Sequence, residues 1–193
     1  MFHHNPHRAN TEPLDMVVDA ETLKHWLADY DTDNIVIGVV ASHSSLQILH
    51  GARMEGFKTL GIAVGENRRR FYKAFPGAEP DEWLMLENYR EMLDHAEWFR
   101  ERNVVIIPHG SLVEYLGSSN FRALEVPTFG NRGILHWESS RARQREWLES
   151  GGCTMPRVLE DPHDIDGPVI VKYAGAKGGR GYFIARDYRD FRR

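Results

Sequence analysis

Residues 35–40, Ile-Val-Ile-Gly-Val-Val, contain no polar side chain, and after a serine-rich turn and a helix-length stretch a second strand-like run, apolar after Lys58 and Thr59, occupies 58–64. A strand covered on one face alternates apolar and polar residues, whereas an unbroken run must be buried on both faces, as in a parallel sheet between layers of helices. Two parallel strands need a crossover of a dozen or more residues, and its right-handed sense puts the turn after the first strand at the carboxyl edge of the sheet. Residues 34–64 therefore read as a βαβ unit, with Gly56 stopping the helix. The pattern returns at Val104, Val105, Ile106 and Ile107, which Pro108 ends before His109-Gly110-Ser111 opens a helix over 112–116 that stops at Gly117. The predicted fold class is α/β, built on a parallel sheet.

This repetition places His43, in the turn Ser42-His43-Ser44-Ser45, and Ser111 at strand carboxyl ends, the edge where open α/β sheets bind ligands. A hydroxyl and an imidazole there can hold a phosphate or a polar base edge. Alternatively, Ser111 is only a helix cap and His43 only a turn residue.

The other segments fill in around that sheet. Residues 1–15 form a polar tail in which His3, His4 and His7 offer at most a weak transition-metal site. From Asp19, a plausible cap, Leu23, Trp26, Leu27 and Tyr30 share a helix face. The segment 66–75 holds Arg68, Arg69, Arg70, Phe71, Tyr72 and Lys73, and either grips a substrate phosphate or forms a solvated helical turn. A short strand is expected at 83–86, a helical stripe through Tyr89, Met92, Leu93, Ala96 and Phe99, another short strand at 126–130, and a charged helix over 134–150 ended by Gly151-Gly152.

Composition narrows the function. With 41% hydrophobic and 11% aromatic residues there is ample material for a core, and the net charge of -4, with arginines scattered among acids, gives no case for nucleic acid or an anionic membrane. One cysteine, Cys153, excludes an intramolecular disulfide and a cysteine zinc cluster, which fits a reducing cytoplasm. No stretch has the roughly 18 apolar residues of a membrane helix, and the N-terminus lacks a signal-peptide core. Small-molecule chemistry in a cytoplasmic protein is the expectation.

Residues 168–185, PVIVKYAGAKGGRGYFIA, read as strand, glycine-rich loop, strand. Gly175, Gly178, Gly179 and Gly181 free backbone N–H groups to meet an anion, and Lys177 and Arg180 add charge, so the loop suits a polyphosphate. It is no Walker loop, since no Gly-Lys-Ser/Thr closes it and a strand follows where a helix should begin. The dinucleotide G-x-G-x-x-G fails because Gly179-x-Gly181 is followed by Ile184. A lysine closing an apolar run, Lys172, calls for a charged partner.

Together, ASHSSLQILHGA, IIPHGSLVEYLG, PTFGNRGILHWESSR, REWLESGG before Met-Pro-Arg-Val, and DIDGPVIVKYAGAKGGRGYF resemble the archaeal formate-dependent ligases that formylate aminoimidazole carboxamide ribotide in purine biosynthesis. The last motif is similar to the first nucleotide-binding hairpin of the ATP-grasp superfamily. The resemblance implies an N-terminal parallel-sheet pre-ATP-grasp domain over 16–125, binding substrate, and the start of an ATP-grasp domain over 126–193. It implies that ATP phosphorylates formate and that the ribotide amine attacks the formyl phosphate, with Mg2+ assisting. It further implies that His43 and Ser111 bind the ribotide, and that Lys172, Ala176, Lys177, Gly178, Gly179, Arg180 and Gly181 bind ATP.

Two departures qualify the likeness. Where ATP-grasp proteins commonly offer an earlier lysine, this chain has His136-Trp137-Glu138-Ser139-Ser140-Arg141, leaving Arg141, Arg143 or Arg145 to take that part or to lie on a solvated face. The chain also stops at Arg193, so the acidic magnesium ligands are expected in a missing C-terminal part. The ligase reading therefore competes with a non-catalytic ribotide- or nucleotide-binding relative, and the expected partners are small molecules together with a further copy or a complementing C-terminal chain. The hairpin, lacking sheet neighbours, is expected to expose Val169, Ile170, Val171, Tyr182 and Phe183. A dinucleotide-dependent oxidoreductase is disfavoured by the Ser/His-rich first turn.

Overall fold

The computed structural model describes residues 20–134, 137, 140–172 and 181–193. The histidine-bearing tail, Asp19 and the loop residues Ala176, Lys177, Gly178, Gly179 and Arg180 lie outside the described residues, as do His136, Glu138 and Ser139. Two compact units emerge, one extending to Gln144 and the other from Arg145 to Arg193.

The first unit is built on four parallel strands, β1 (Val36–Val40), β2 (Lys58–Val64), β3 (Glu82–Leu86) and β4 (Val104–Ile106), in the order β3-β2-β1-β4. Alternate residues of β1 feed two cores. Val40 joins Leu60, Ile62, Leu86, Phe99, Val104 and Ile106 on one side, and Val39 joins Ala63, Leu49 and Tyr72 on the other. This double burial is why the strand runs carry no alternation. Each fully buried Leu or Ile contributes about 1.5–3 kcal/mol, and the one buried polar side chain of β2, Thr59, is satisfied by donating from Oγ1 to Asp81 Oδ2 at 2.8 Å. Gly38, inside β1, is required by close approach: a Cβ there would lie 2.6 Å from Val104 Cγ1 and 2.8 Å from Ile106 Cδ1.

Helix α1 (Ala20–Leu27) precedes the sheet. Helices α2 (Ser45–Met54) and α3 (Glu66–Tyr72) carry the second core's Leu49 and Tyr72, while α4 (Ala96–Glu101), α5 (Gly110–Leu116) and α6 (Ser118–Ala123) carry the first core's Phe99, Leu112, Leu116 and Phe121. The expected stripe from Tyr89 is two pieces, a 3-10 turn at Tyr89–Met92 capped by Asn88 and then α4. Asn103, at φ 54°, turns the chain into β4 and accepts from the Asp31 N–H at 2.9 Å. Helix α6 was not legible beforehand, since Gly117 at φ 84° ends α5 and starts α6 in one step. The strand expected at 126–130 reduces to one parallel bridge between Ile106 and Thr128.

Arg132 explains why that segment stays with the first unit. Its buried guanidinium donates to the carbonyls of Phe121 (3.3 Å), Leu124 (2.5 Å) and Val126 and to Thr128 Oγ1 (3.2 Å), and it lies over the rings of Phe121 and Trp26. Burial brings its pKa down to about 10. The charged helix does not run unbroken from Ile134: Ser140 is non-helical, its hydroxyl accepts from the Arg143 N–H at 3.5 Å, and α7 spans Arg141–Ser150.

In the second unit, β5 (Val169–Lys172) and β6 (Tyr182–Ala185) form an antiparallel hairpin, pairing Ile170 with Ile184 and Lys172 with Tyr182. The expectation of general exposure holds for one face only. Ile170, Tyr182 and Ile184 are more than half exposed, but Val169, Val171 and Phe183 are half-buried and Ala185 is buried. The reason is α8 (Tyr188–Phe191), whose Phe191 ring lies 6.3 Å from that of Phe183, while Tyr188 stacks at 3.8 Å on His163.

Candidate functional site

The chain leaves β1 for β2 and β3 on one side and then returns to β4 on the other, so the strand order reverses between β1 and β4. At such a reversal the loops leaving the two carboxyl ends diverge, opening the crevice in which α/β sheets bind ligands. The loop after β1 carries Ser42 and His43, and the loop after β4 runs through His109 to Ser111. The two residues singled out from sequence thus stand on adjacent strand ends.

His43 is exposed, whereas Ser111 is buried, in the first turn of α5, and its hydroxyl makes no hydrogen bond among the described residues. His109, not Ser111, occupies the cap position, so the simple cap explanation of Ser111 fails. The His109 ring ties the loop after β4 to the carboxyl end of β1, where the His43 loop begins, by donating from Nε2 to the Val40 carbonyl at 2.9 Å. A carbonyl only accepts, so the neutral ring carries its proton on Nε2. Burial holds the His109 pKa below its ordinary value, against the Val40 hydrogen bond, and nearby His43 pushes the same way.

A hydroxyl network holds the His43 turn. The Ser42 N–H donates to Ser45 Oγ at 2.9 Å, Ser45 Oγ donates to the Ser42 carbonyl at 2.8 Å, and the Tyr72 hydroxyl donates to that carbonyl at 2.7 Å while also meeting Ser45 Oγ. The Tyr72 ring is fully buried. Burial raises its pKa, so the phenol remains a neutral donor.

Arg68, on the same face of α3 as Tyr72 four residues on, donates from Nη1 to the Ala41 carbonyl at 3.1 Å and to the Tyr115 hydroxyl at 3.2 Å. Its guanidinium lies over the Tyr115 ring, which stacks on Tyr89 at 5.1 Å. Burial works against its charge, but the Tyr115 hydrogen bond and the surrounding phenols prevail and raise the pKa. Neither His109 nor Arg68 stood out in the sequence as a member of this edge. His109 was visible as a helix-opening residue, and Arg68 was one of three consecutive arginines.

Lys172 stands exposed at the end of β5, on the outward face with Ile170, Tyr182 and Ile184, while Gly181 precedes β6 and is buried. That face offers an apolar strip ending in one cation. Among the described residues no group of three or more His, Cys, Asp or Glu side chains gathers to hold a metal, and no helix is long and apolar enough to cross a membrane. Two cavities, of about 440 and 270 Å3, lie at the opposite, amino edge of the parallel sheet, where Arg53, Lys58, Asp81, Glu82 and Arg102 mix both signs of charge.

Residues 37–159 match the family described as a protein of unknown function (DUF1246). The chain is 53% identical over 175 residues to 5-formaminoimidazole-4-carboxamide-1-(beta)-D-ribofuranosyl 5'-monophosphate synthetase 1 of Methanosarcina mazei, covering 91% of this chain and 49% of that protein. It is 46% identical over 178 residues to the synthetase of Korarchaeum cryptofilum, covering 91% and 48%. Among solved structures, that of an IMP biosynthesis protein PurP from Thermococcus kodakaraensis is similar with a TM-score of 0.50 and 33% identity, over 74% of this chain and 41% of that one. The chain spans about half the length of the curated relatives it matches. On the identity and coverage of these relatives, and on a DUF1246 match that corresponds to their N-terminal domain, the chain belongs to the archaeal 5-formaminoimidazole-4-carboxamide ribotide synthetase family.

Proposed function

We propose that this chain supplies the ribotide-binding domain and the first nucleotide-binding hairpin of an ATP- and formate-dependent ligase that converts aminoimidazole carboxamide ribotide to its formamido product. In that reaction a formate oxygen attacks the γ-phosphorus of ATP and ADP leaves. The exocyclic amine of the ribotide then attacks the formyl carbon, losing a proton as phosphate departs. The observation that carries the reading is the placement of His43 and Ser111 on the two loops that flank the strand-order reversal, where His109 of the second loop bonds to Val40 at the end of β1. The Ser111 hydroxyl, without a protein partner among the described residues, and the exposed His43 imidazole on the neighbouring strand end suit a ligand that offers both donors and acceptors, as a carboxamide or a ribose does.

The hairpin supports the nucleotide half of the reading. Ile170, Ile184 and Tyr182 present apolar surface to a purine ring, and Lys172 ends that strip where a phosphate charge would lie. Ala176, Lys177, Gly178, Gly179, Arg180 and Gly181 complete the assignment as the phosphate cover. Magnesium would spread charge on the transferring phosphoryl group, but no described cluster in this chain fits it, so no ligand is assigned here. That the curated relatives are named synthetases disfavours the non-catalytic alternative.

Calorimetric titration of the chain with aminoimidazole carboxamide ribotide tests the proposal. Ser111→Ala and His43→Ala should each weaken binding by roughly tenfold or more while leaving the folded state intact. If both variants bind as tightly as the wild type, the site has been misplaced.

A further inference from the structure

Building on the ribotide reading of this edge, we propose that Arg68 is the cation that receives the ribotide phosphate. Of the described side chains that hydrogen bonds place at the carboxyl edge, Arg68 alone carries a permanent positive charge. Its position is tied to both halves of the crevice. The Ala41 carbonyl it holds immediately precedes the Ser42-His43 turn, and Tyr115 lies one helical turn beyond Ser111 on the same face of α5.

The three consecutive arginines of α3 are not equivalent. Arg69 pairs with Glu66 at 3.4 Å, and Arg70 is exposed. Arg68 is half-buried, and no carboxylate pairs with it among the described residues, nor do Nε and Nη2 find a hydrogen-bond partner there. Its neighbours are three phenols, Tyr72, Tyr89 and Tyr115, which raise its pKa without neutralising it. A fixed guanidinium with one nitrogen occupied and two donor positions open matches the fork geometry by which arginine holds a phosphate.

The test compares two ligands that differ only in the phosphate, the ribotide and its dephosphorylated riboside, titrated into the full chain and into Arg68→Gln and Arg68→Lys. Arg68→Gln should weaken the ribotide roughly 10- to 100-fold and leave the riboside unchanged, so that the preference for the phosphorylated ligand collapses. Arg68→Lys, which keeps the charge but not the fork, should retain part of that preference. Tyr115→Phe, which removes one partner of Nη1 and no charge, should retain most of it. Undiminished preference in Arg68→Gln overturns the assignment. So does an equal weakening of both ligands accompanied by a lower melting temperature, which would make Arg68 a brace between Ala41 and Tyr115. Failure of the wild type to bind either compound would instead bring down the ribotide reading, and this assignment with it.

Discussion

Replacing Arg132 by methionine removes a buried charge whose described partners are uncharged: three backbone carbonyls and one hydroxyl. The partners do not lose equally. Phe121 O still receives the Leu124 N–H at 3.3 Å, and Leu124 O still receives the Val126 N–H at 2.9 Å, so among the described residues the Val126 carbonyl is the one carbonyl left without a donor, and the half-buried Thr128 hydroxyl loses its Arg132 donor as well. An orphaned buried carbonyl costs about 1–3 kcal/mol, and losing the other charge-assisted bonds adds to it, while relief from desolvating the guanidinium subtracts. A net loss of about 3 kcal/mol results, which for a chain of this length lowers the melting temperature by about 6–12 °C. Arg132→Lys should fall between, because one ammonium cannot span four acceptors. Thermal unfolding followed by circular dichroism measures both variants. A methionine variant melting within about 2 °C of the wild type would refute the clamp.

Tyr72→Phe keeps the ring but removes a donor to the Ser42 carbonyl, so it should cost about 1–2 kcal/mol in urea unfolding and weaken the ribotide through the loosened His43 turn; unaltered affinity would separate the turn from the site. The depressed His109 pKa has a definite sign in acid: the unfolded chain takes up the proton first, so stability is full above the ordinary value of 6.5 and declines as pH falls toward the folded pKa. His109→Gln should flatten that decline, measured as urea midpoints between about pH 7.5 and about pH 5, and an unchanged slope would show that another group titrates there. Lys172→Ala, placed in an ATP-competent enzyme of this family, should weaken ATP by about 1.5–3 kcal/mol; equal nucleotide affinity in a folded variant would remove Lys172 from the site.

Local pattern carried the sheet and the hairpin. The limits of β2 agree with the strand-like run at 58–64, β1 and β4 differ from theirs by one residue at an end, and the loops bearing His43 and Ser111 fall at the carboxyl ends of paired strands. That legibility has a physical basis: two-sided burial suppresses alternation along the chain itself, and glycine and proline mark turns by their own allowed dihedrals. What stayed hidden depends on partners far apart in sequence. Nothing in Arg68-Arg69-Arg70 distinguishes the first arginine until folding brings the Ala41 carbonyl and Tyr115 to it. Arg132 is equally silent, because its partners are mostly backbone carbonyls, which every residue has and no side-chain pattern announces. The sequence by itself determined an α/β chain with two loops at the carboxyl edge of its sheet and a glycine-rich hairpin. Only the tertiary structure decided which cation reaches that edge and which histidine bonds the second loop to the end of β1, since both follow from packing between elements.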